Sequence, residues 1–334
     1  MFGLGIPRKN VEESIRQINI AINKEVAFKK YTDQQVMYYV MKEARDVVSF
    51  ISSYVTEDSL YIHYHKKTLL LEIIKEFGHL VSSCRYYYNY SEYDKVAILK
   101  IIGKIQSLFN QYSLYGSLYV FRHCIKEKRT DAKGIAYDGI PTHAIKNQAM
   151  KRAKEIIDEI LISPKKIRII FYHSEMKRTK IFAEIIRREI MNHLNHCKDK
   201  IEIVNNGYDP RIRYGYFDNN ALKELKPFLD QKGEFYTVLA WYFNMEEFKS
   251  YKFQPKPEDV IDGINNFVRE CQRLTIDGGH YTIVIGITHS WMIDAYLMYK
   301  IPGLQNHIKK LIETASFFKV ECGEINYLGK WVNL

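Results

Sequence analysis

Three apolar runs constrain what this chain can fold into. Ser117-Leu118-Tyr119-Val120-Phe121 leads straight into Arg122-His123. Thr282-Ile283-Val284-Ile285-Gly286-Ile287-Thr288 leads into His289. Ile167-Arg168-Ile169-Ile170-Phe171-Tyr172-His173-Ser174 leads through Glu175-Met176-Lys177 to Arg178. A short, near-continuous apolar run marks a strand buried on both faces, as in a parallel sheet. Open α/β sheets bind their ligands beyond the carboxyl ends of such strands. Arg, His, Arg and His delivered at three strand ends suit a phosphoryl group, which guanidinium forks grip well. The two histidines lie far apart in the chain, so no local structure pairs them.

Around Tyr115-Gly116-Ser117 the hydrophobic period changes. Beyond it the pattern predicts strand 117–122, helix 143–161, strand 167–173, helix 177–195 and strand 200–205. A turn at Asp209-Pro210 follows, with helix 219–231, strand 235–240, helix 257–274, strand 281–287, helix 290–300 and a β-like tail over 315–333. Such alternation predicts an α/β fold in three layers, a mainly parallel sheet flanked by helices. Residues 1–113 read instead as an all-α unit of about four helices. Val11, Ile15, Ile18 and Ile22 keep helical spacing. Thr32 with Gln35 forms a capping box that opens a helix running to about Tyr54. Asp58 or Ser59 would cap a third helix through Leu80, and Ser91 a fourth. The expected division is therefore 1–113 and 114–334.

Composition narrows the function classes. Among 334 residues, hydrophobic types make up 46% and charged types 26%, as in an ordinary globular protein. No apolar run approaches the roughly 20 residues that span a bilayer. The start, Met1-Phe2-Gly3-Leu4-Gly5-Ile6-Pro7-Arg8, lacks a basic lead and an apolar stretch, so a cytoplasmic location is expected. Five scattered cysteines with no CxxC pair predict neither a disulfide framework nor a zinc site. A net charge of +10 favours anionic partners. The absence of zinc-finger spacing and of an RNP-type signature argues against nucleic acid.

Four motifs then occur in order. They are Arg122-His123-Cys124, Asp138-Gly139-Ile140-Pro141-Thr142-His143-Ala144-Ile145-Lys146-Asn147-Gln148-Ala149, Ser174-Glu175-Met176-Lys177-Arg178-Thr179-Lys180-Ile181-Phe182-Ala183 and Ile287-Thr288-His289-Ser290. With them the chain from about 117 onward resembles the histidine phosphatase superfamily, the phosphoglycerate mutase-like proteins. The resemblance implies a metal-independent phosphomonoester hydrolase that needs no cofactor and passes through a phosphohistidine on His123. Arg122 and Arg178 would grip the phosphoryl oxygens, and His289 would stabilise developing charge. Lys126 and Arg129, with Lys128, would favour a second anionic group, and Thr142 and Ser290 would contact substrate. The expected partner is a phosphorylated small molecule or other phosphomonoester. The tyrosine-rich helical unit, with Tyr86-Tyr87-Tyr88-Asn89-Tyr90, offers a surface for a protein partner or homo-oligomer. Read singly, His123 is a strand-end histidine bonded to a carbonyl, the arginines are surface ion pairs and His289 is a helix cap. His173 is a further candidate to line the pocket.

Two departures from the family pattern stand out. Cys124 occupies the place of a glycine. The general acid, which must protonate the leaving oxygen, is also displaced. Where many relatives carry a pattern like D-P-R-L-R-E, this chain has Asp209-Pro210-Arg211-Ile212-Arg213-Tyr214, and the acid phosphatase branch's aspartate after the second histidine is Ser290 here. Asp209 is the substitute taken, with Asp218 and Tyr214 as alternatives. The competing reading is a degenerate phosphatase fold that binds a phosphorylated ligand or a protein partner without turnover.

Overall fold

The computed structural model describes residues 11–23, 30–57, 60–86, 92–124, 128–130, 136–138, 143–163, 165–213, 219–249, 256–276 and 279–334. Four helices come first: α1 (Val11–Ile22), α2 (Asp33–Glu57), α3 (Tyr64–Tyr86) and α4 (Glu92–Tyr112). The capping box of α2 forms as expected. The Thr32 N–H donates to Gln35 Oε1 at 2.9 Å, and the Gln35 N–H donates to Thr32 Oγ1 at 3.3 Å. The third helix differs from expectation. It opens at Tyr64 and runs past Leu80, while Asp58 and Ser59 lie outside the described residues. His63 caps it, its Nδ1 accepting the His65 N–H at 3.2 Å. Tyr87, Tyr88, Asn89, Tyr90 and Ser91 also lie outside the described residues. The apolar stripes of the four helices close one core, to which Ile15, Ile51, Phe77 and Ile102 each contribute.

The strands follow: β1 (Ser117–Arg122), β2 (Lys128–Thr130), β3 (Ala136–Asp138), then α5 (His143–Ile162), β4 (Ile167–His173), α6 (Lys177–His193) and β5 (Ile201–Tyr208). Next are α7 (Asn219–Lys232), α8 (Glu234–Tyr242), α9 (Glu246–Lys249), α10 (Pro257–Thr275), β6 (Tyr281–Thr288) and α11 (Ser290–Lys300). The chain closes with β7 (Phe317–Glu321), β8 (Glu324–Tyr327) and β9 (Lys330–Asn333). Seven strands form one sheet in the order β5-β4-β6-β1-β7-β8-β9. The first four run parallel, and β7, β8 and β9 add antiparallel pairs at one side. β2 and β3 form a separate antiparallel pair that sequence patterning did not reveal.

Side chains of β1 alternate between two cores. Leu118 and Val120 join one that includes α10 and α11, while Tyr119 and Phe121 join another that includes α5 and α6. This is the expected three-layer α/β arrangement. The expected strand at 235–240 is instead part of α8. Its run is apolar on nearly every side, so periodicity alone does not separate strand from helix. Thr237, Val238, Ala240 and Trp241 are buried at helical spacing, and Trp241 packs 5.7 Å from Trp291 between ring centroids.

Gly116 sets the approach of β1 to β6. A Cβ there would fall 1.8 Å from the Thr282 carbonyl oxygen. Backbone cannot yield as a flexible side chain does. Gly116→Ala is therefore expected to cost about 3 kcal/mol, read as a lowered urea midpoint.

The helices dock on the sheet through buried charge. Lys66 Nζ on α3 donates to Tyr281 Oη and to Glu321 Oε1, each at 2.6 Å. Lys319 Nζ lies 2.8 Å from Glu159 Oε2 and 3.3 Å from Glu321 Oε1. Tyr281 Oη donates to Glu159 Oε1 at 2.6 Å, and Tyr119 Oη donates to Glu159 Oε2. Ser117 Oγ sits 2.6 Å from Glu159 Oε1 and 2.8 Å from Glu321 Oε1. The side chains of all four charged residues are at most 2% exposed. Burial opposes ionisation of Glu159, yet Lys319 and Lys66 beside it hold its carboxyl down at about 2. Among the described residues, no helix is long and apolar enough to cross a membrane.

Candidate active site

Parallel pairing sets β1 and β4 on either side of β6, so their carboxyl ends meet. Two bonds past the strands keep this register. The His123 N–H donates to Thr288 O at 2.9 Å, and the Ser174 N–H donates to Ile287 O at 3.0 Å. His123 and His289 then come together with ring centroids 5.0 Å apart and planes at 59°. Both are buried.

His123 Nδ1 lies 2.6 Å from the Cys124 carbonyl oxygen. A carbonyl only accepts, so Nδ1 donates this bond and the contact fixes the orientation of the ring. His289 is held the other way round. Arg178 Nη2 sits 3.1 Å from its Nδ1, and a guanidinium only donates, so Nδ1 accepts. Nε2–H then donates to Ser174 Oγ at 2.8 Å. Ser174 Oγ in turn lies 3.0 Å from Thr179 Oγ1, which donates to Met176 O at 2.7 Å. One polar chain thus runs from Arg178 through His289, Ser174 and Thr179 to the backbone that opens α6. Arg178 and Thr179 belong to the first turn of α6, where exposed N–H groups favour an anion. Sequence reading quoted Ser174 and Thr179 as motif letters and missed their role as the support of His289. Their signal was a serine directly after a strand, followed by a helix start.

Arg122 takes a different direction from His123. On β1 it follows Leu118 and Val120, so its side chain faces α11, and Nη1 donates to the Ile312 carbonyl. The Ile312 N–H donates to Asp294 Oδ1 at 2.9 Å. Asp294 is 1% exposed, and burial raises its carboxyl to about 7 against the pull of the Ile312 N–H and Arg122. The folded state therefore holds this proton more tightly than the unfolded state. Stability falls as pH rises from about 4 to about 7. Asp294→Asn is expected to gain on the wild type in urea unfolding when pH moves from about 5 to about 8.

The remaining candidates separate clearly. Among the described residues, Asp209 makes no hydrogen bond to His123 or His289. Its N–H donates to His173 O, while Oδ1 accepts the Arg211 N–H at 2.9 Å and Oδ2 lies 2.6 Å from Arg211 Nη2. Arg211 is held further by Glu270 and lies over the Phe267 ring, towards α10. Ser290 is buried as the first residue of α11, directly after His289. His173 Nδ1 donates to the Ser174 carbonyl at 2.7 Å. Lys126, Thr142, Tyr214 and Asp218 lie outside the described residues, as does the Arg129 side chain on β2. Cys124 packs into the core beside α5, and burial pushes its thiol up to about 11, so it stays protonated. Among the described residues no group of three His, Cys, Asp or Glu side chains is placed to hold a metal ion.

No family model matches this chain, and no curated protein matches it. Solved structures do. Phosphoglycerate mutase from Bacillus anthracis str. Sterne is 14% identical, with 66% of this chain and 93% of that chain covered at a TM-score of 0.35. A mycobacterial glucosyl-3-phosphoglycerate phosphatase is 13% identical, with 62% and 90% covered at 0.36. The alpha-ribazole phosphatase from Shigella flexneri is 11% identical, with 65% and 94% covered at 0.34. Likeness this loose carries no argument about activity, and the α/β architecture rests on the strand order and pairing of the chain itself.

Proposed function

We propose that the chain is a phosphomonoester hydrolase that acts through His123. One observation carries this reading. His123, oriented by its Nδ1 on the Cys124 carbonyl, lies beside His289 and Arg178 at the carboxyl ends of parallel strands. In the first step Nε2 attacks phosphorus and the bond from phosphorus to the ester oxygen breaks. Arg178 moves its donors to the phosphoryl oxygens, and His289, freed from it, stabilises the transferring charge. The leaving oxygen takes a proton from solvent water as it departs. In the second step water attacks phosphorus, the phosphorus–nitrogen bond breaks, and inorganic phosphate leaves as the water gives up a proton. Arg122 supports the strand end through Ile312 and adds positive potential. No metal or cofactor has a part in this scheme.

A second reading, ligand binding without turnover, is favoured by one feature. Arg211 engages both carboxylate oxygens of Asp209, which leaves this expected acid poorly placed to carry a proton. The test is hydrolysis of p-nitrophenyl phosphate in the presence of EDTA. Its good leaving group needs little acid assistance. Turnover that survives the chelator is the expected result. Phosphate binding without turnover would establish the second reading.

A further inference from the structure

A cavity of about 370 Å³ opens beside the candidate active site, within the usual size of a small-molecule site. Its floor is apolar and aromatic, with Tyr61, Leu311, Phe317 and Tyr327. Tyr61 and Phe317 lie 5.2 Å apart between ring centroids. Its rim is cationic. Lys309 and Lys310 stand there with one lining carboxylate, Glu313, which Lys310 bonds, while Arg152 is held by the Ala315 carbonyl and by Glu155. The Arg152 guanidinium also lies 5.3 Å from the Phe317 ring centroid.

Two further observations mark the cavity as a binding site. The first is its wall. The segment from Leu311 to Phe317 lines the cavity on one side and holds the end of β1 on the other. The Arg122 N–H donates to Ser316 O, and the Ala315 N–H reaches both Arg122 O and His123 O. The second is Leu328. Leu328 and Gly329 have φ of 52° and 82° in the tight turn between β8 and β9, where Asn, Asp or Gly is favoured at the first position. This chain places leucine there, with its side chain 64% exposed at the cavity mouth.

We propose that this cavity is a second ligand site, separate from the His123 pocket, for a flat aromatic or apolar ring that carries a phosphate, sulfonate or carboxylate. The ring lies on Phe317 and Leu311, and the anion meets Lys309. Binding there does not depend on the hydrolase reading. The shared wall couples it to the strand that carries Arg122.

The probe is 8-anilinonaphthalene-1-sulfonate, an aromatic anion of this class, followed by fluorescence with the full chain. The expected result is saturable binding at one site. Leu328→Asp, which suits a left-handed backbone, and Lys309→Glu should each weaken binding by about tenfold with unchanged melting. His123→Ala should bind as wild type. Undiminished binding in both cavity variants would overturn the proposal. So would weakened binding in His123→Ala, which would place the probe at the His123 site. Neither result depends on turnover, so a failed hydrolase reading remains distinguishable.

Discussion

Replacing His123 with alanine is expected to lower hydrolysis of p-nitrophenyl phosphate by at least about a thousandfold. The loss follows from removing the proposed bond-forming atom itself. Both nitrogens of His289 are engaged, one by Arg178 and one by Ser174. A labelled ester quenched within a turnover should leave phosphate on the wild-type chain in an alkali-stable, acid-labile form. His123→Ala should retain no label. Cys124→Ala serves as the control for the neighbouring nucleophile. Its thiol is pushed up to about 11 by burial, so labelling should persist without it. Label that survives in His123→Ala and disappears in Cys124→Ala would reverse the assignment.

The second large effect is on stability. Lys66→Met should cost about 3–5 kcal/mol of unfolding free energy, because it strips one cation from a fully buried, charge-balanced group. Glu321 would lose its 2.6 Å partner and keep Lys319 at 3.3 Å. Lys66→Met combined with Glu321→Gln should recover part of that cost, since the uncompensated charge rather than the lost contact is the larger penalty. The same network predicts acid sensitivity. Glu159 is held near 2 when folded, below its ordinary 4.5. Its contribution is present above about 4.5 and is lost as pH falls toward about 2. Urea midpoints measured for both variants and across acid pH would check the sign and the size.

The candidate site was legible because it lies at strand ends. Apolar runs such as 117–121 and 282–287 declare buried parallel strands, and the polar residues that follow them fall at the ligand edge. Thr32 and Gln35 declared their helix start just as well, because capping is local chemistry. Legibility failed where partners are distant or where the period is ambiguous. The run from Phe235 to Tyr242 packs on several sides, so tertiary contacts decide its form. His63 capping α3 breaks the usual preference for short oxygen-bearing side chains. Nothing near Lys66 in the chain announces Glu321, and nothing near Arg122 announces Ile312 and Asp294. Asp209 reads as an acid by its place in a motif, yet Arg211, two residues on, takes its carboxylate.

The buried charge group also dictates a timetable. Lys66 and Glu321 are separated by 255 positions, and Glu159 and Lys319 by 160. During synthesis from the N-terminus, α3 and α5 are complete long before β7 exists. Until that strand arrives, Lys66 lacks Glu321 and Glu159 lacks Lys319, and the surfaces that carry them must stay hydrated. Helical hairpins can gather early, because their contacts are near in sequence. Closure of the sheet over the ammonium and carboxylate groups must wait for the last strands. The four charges therefore act as a checkpoint that delays the dry core until nearly the whole chain is present.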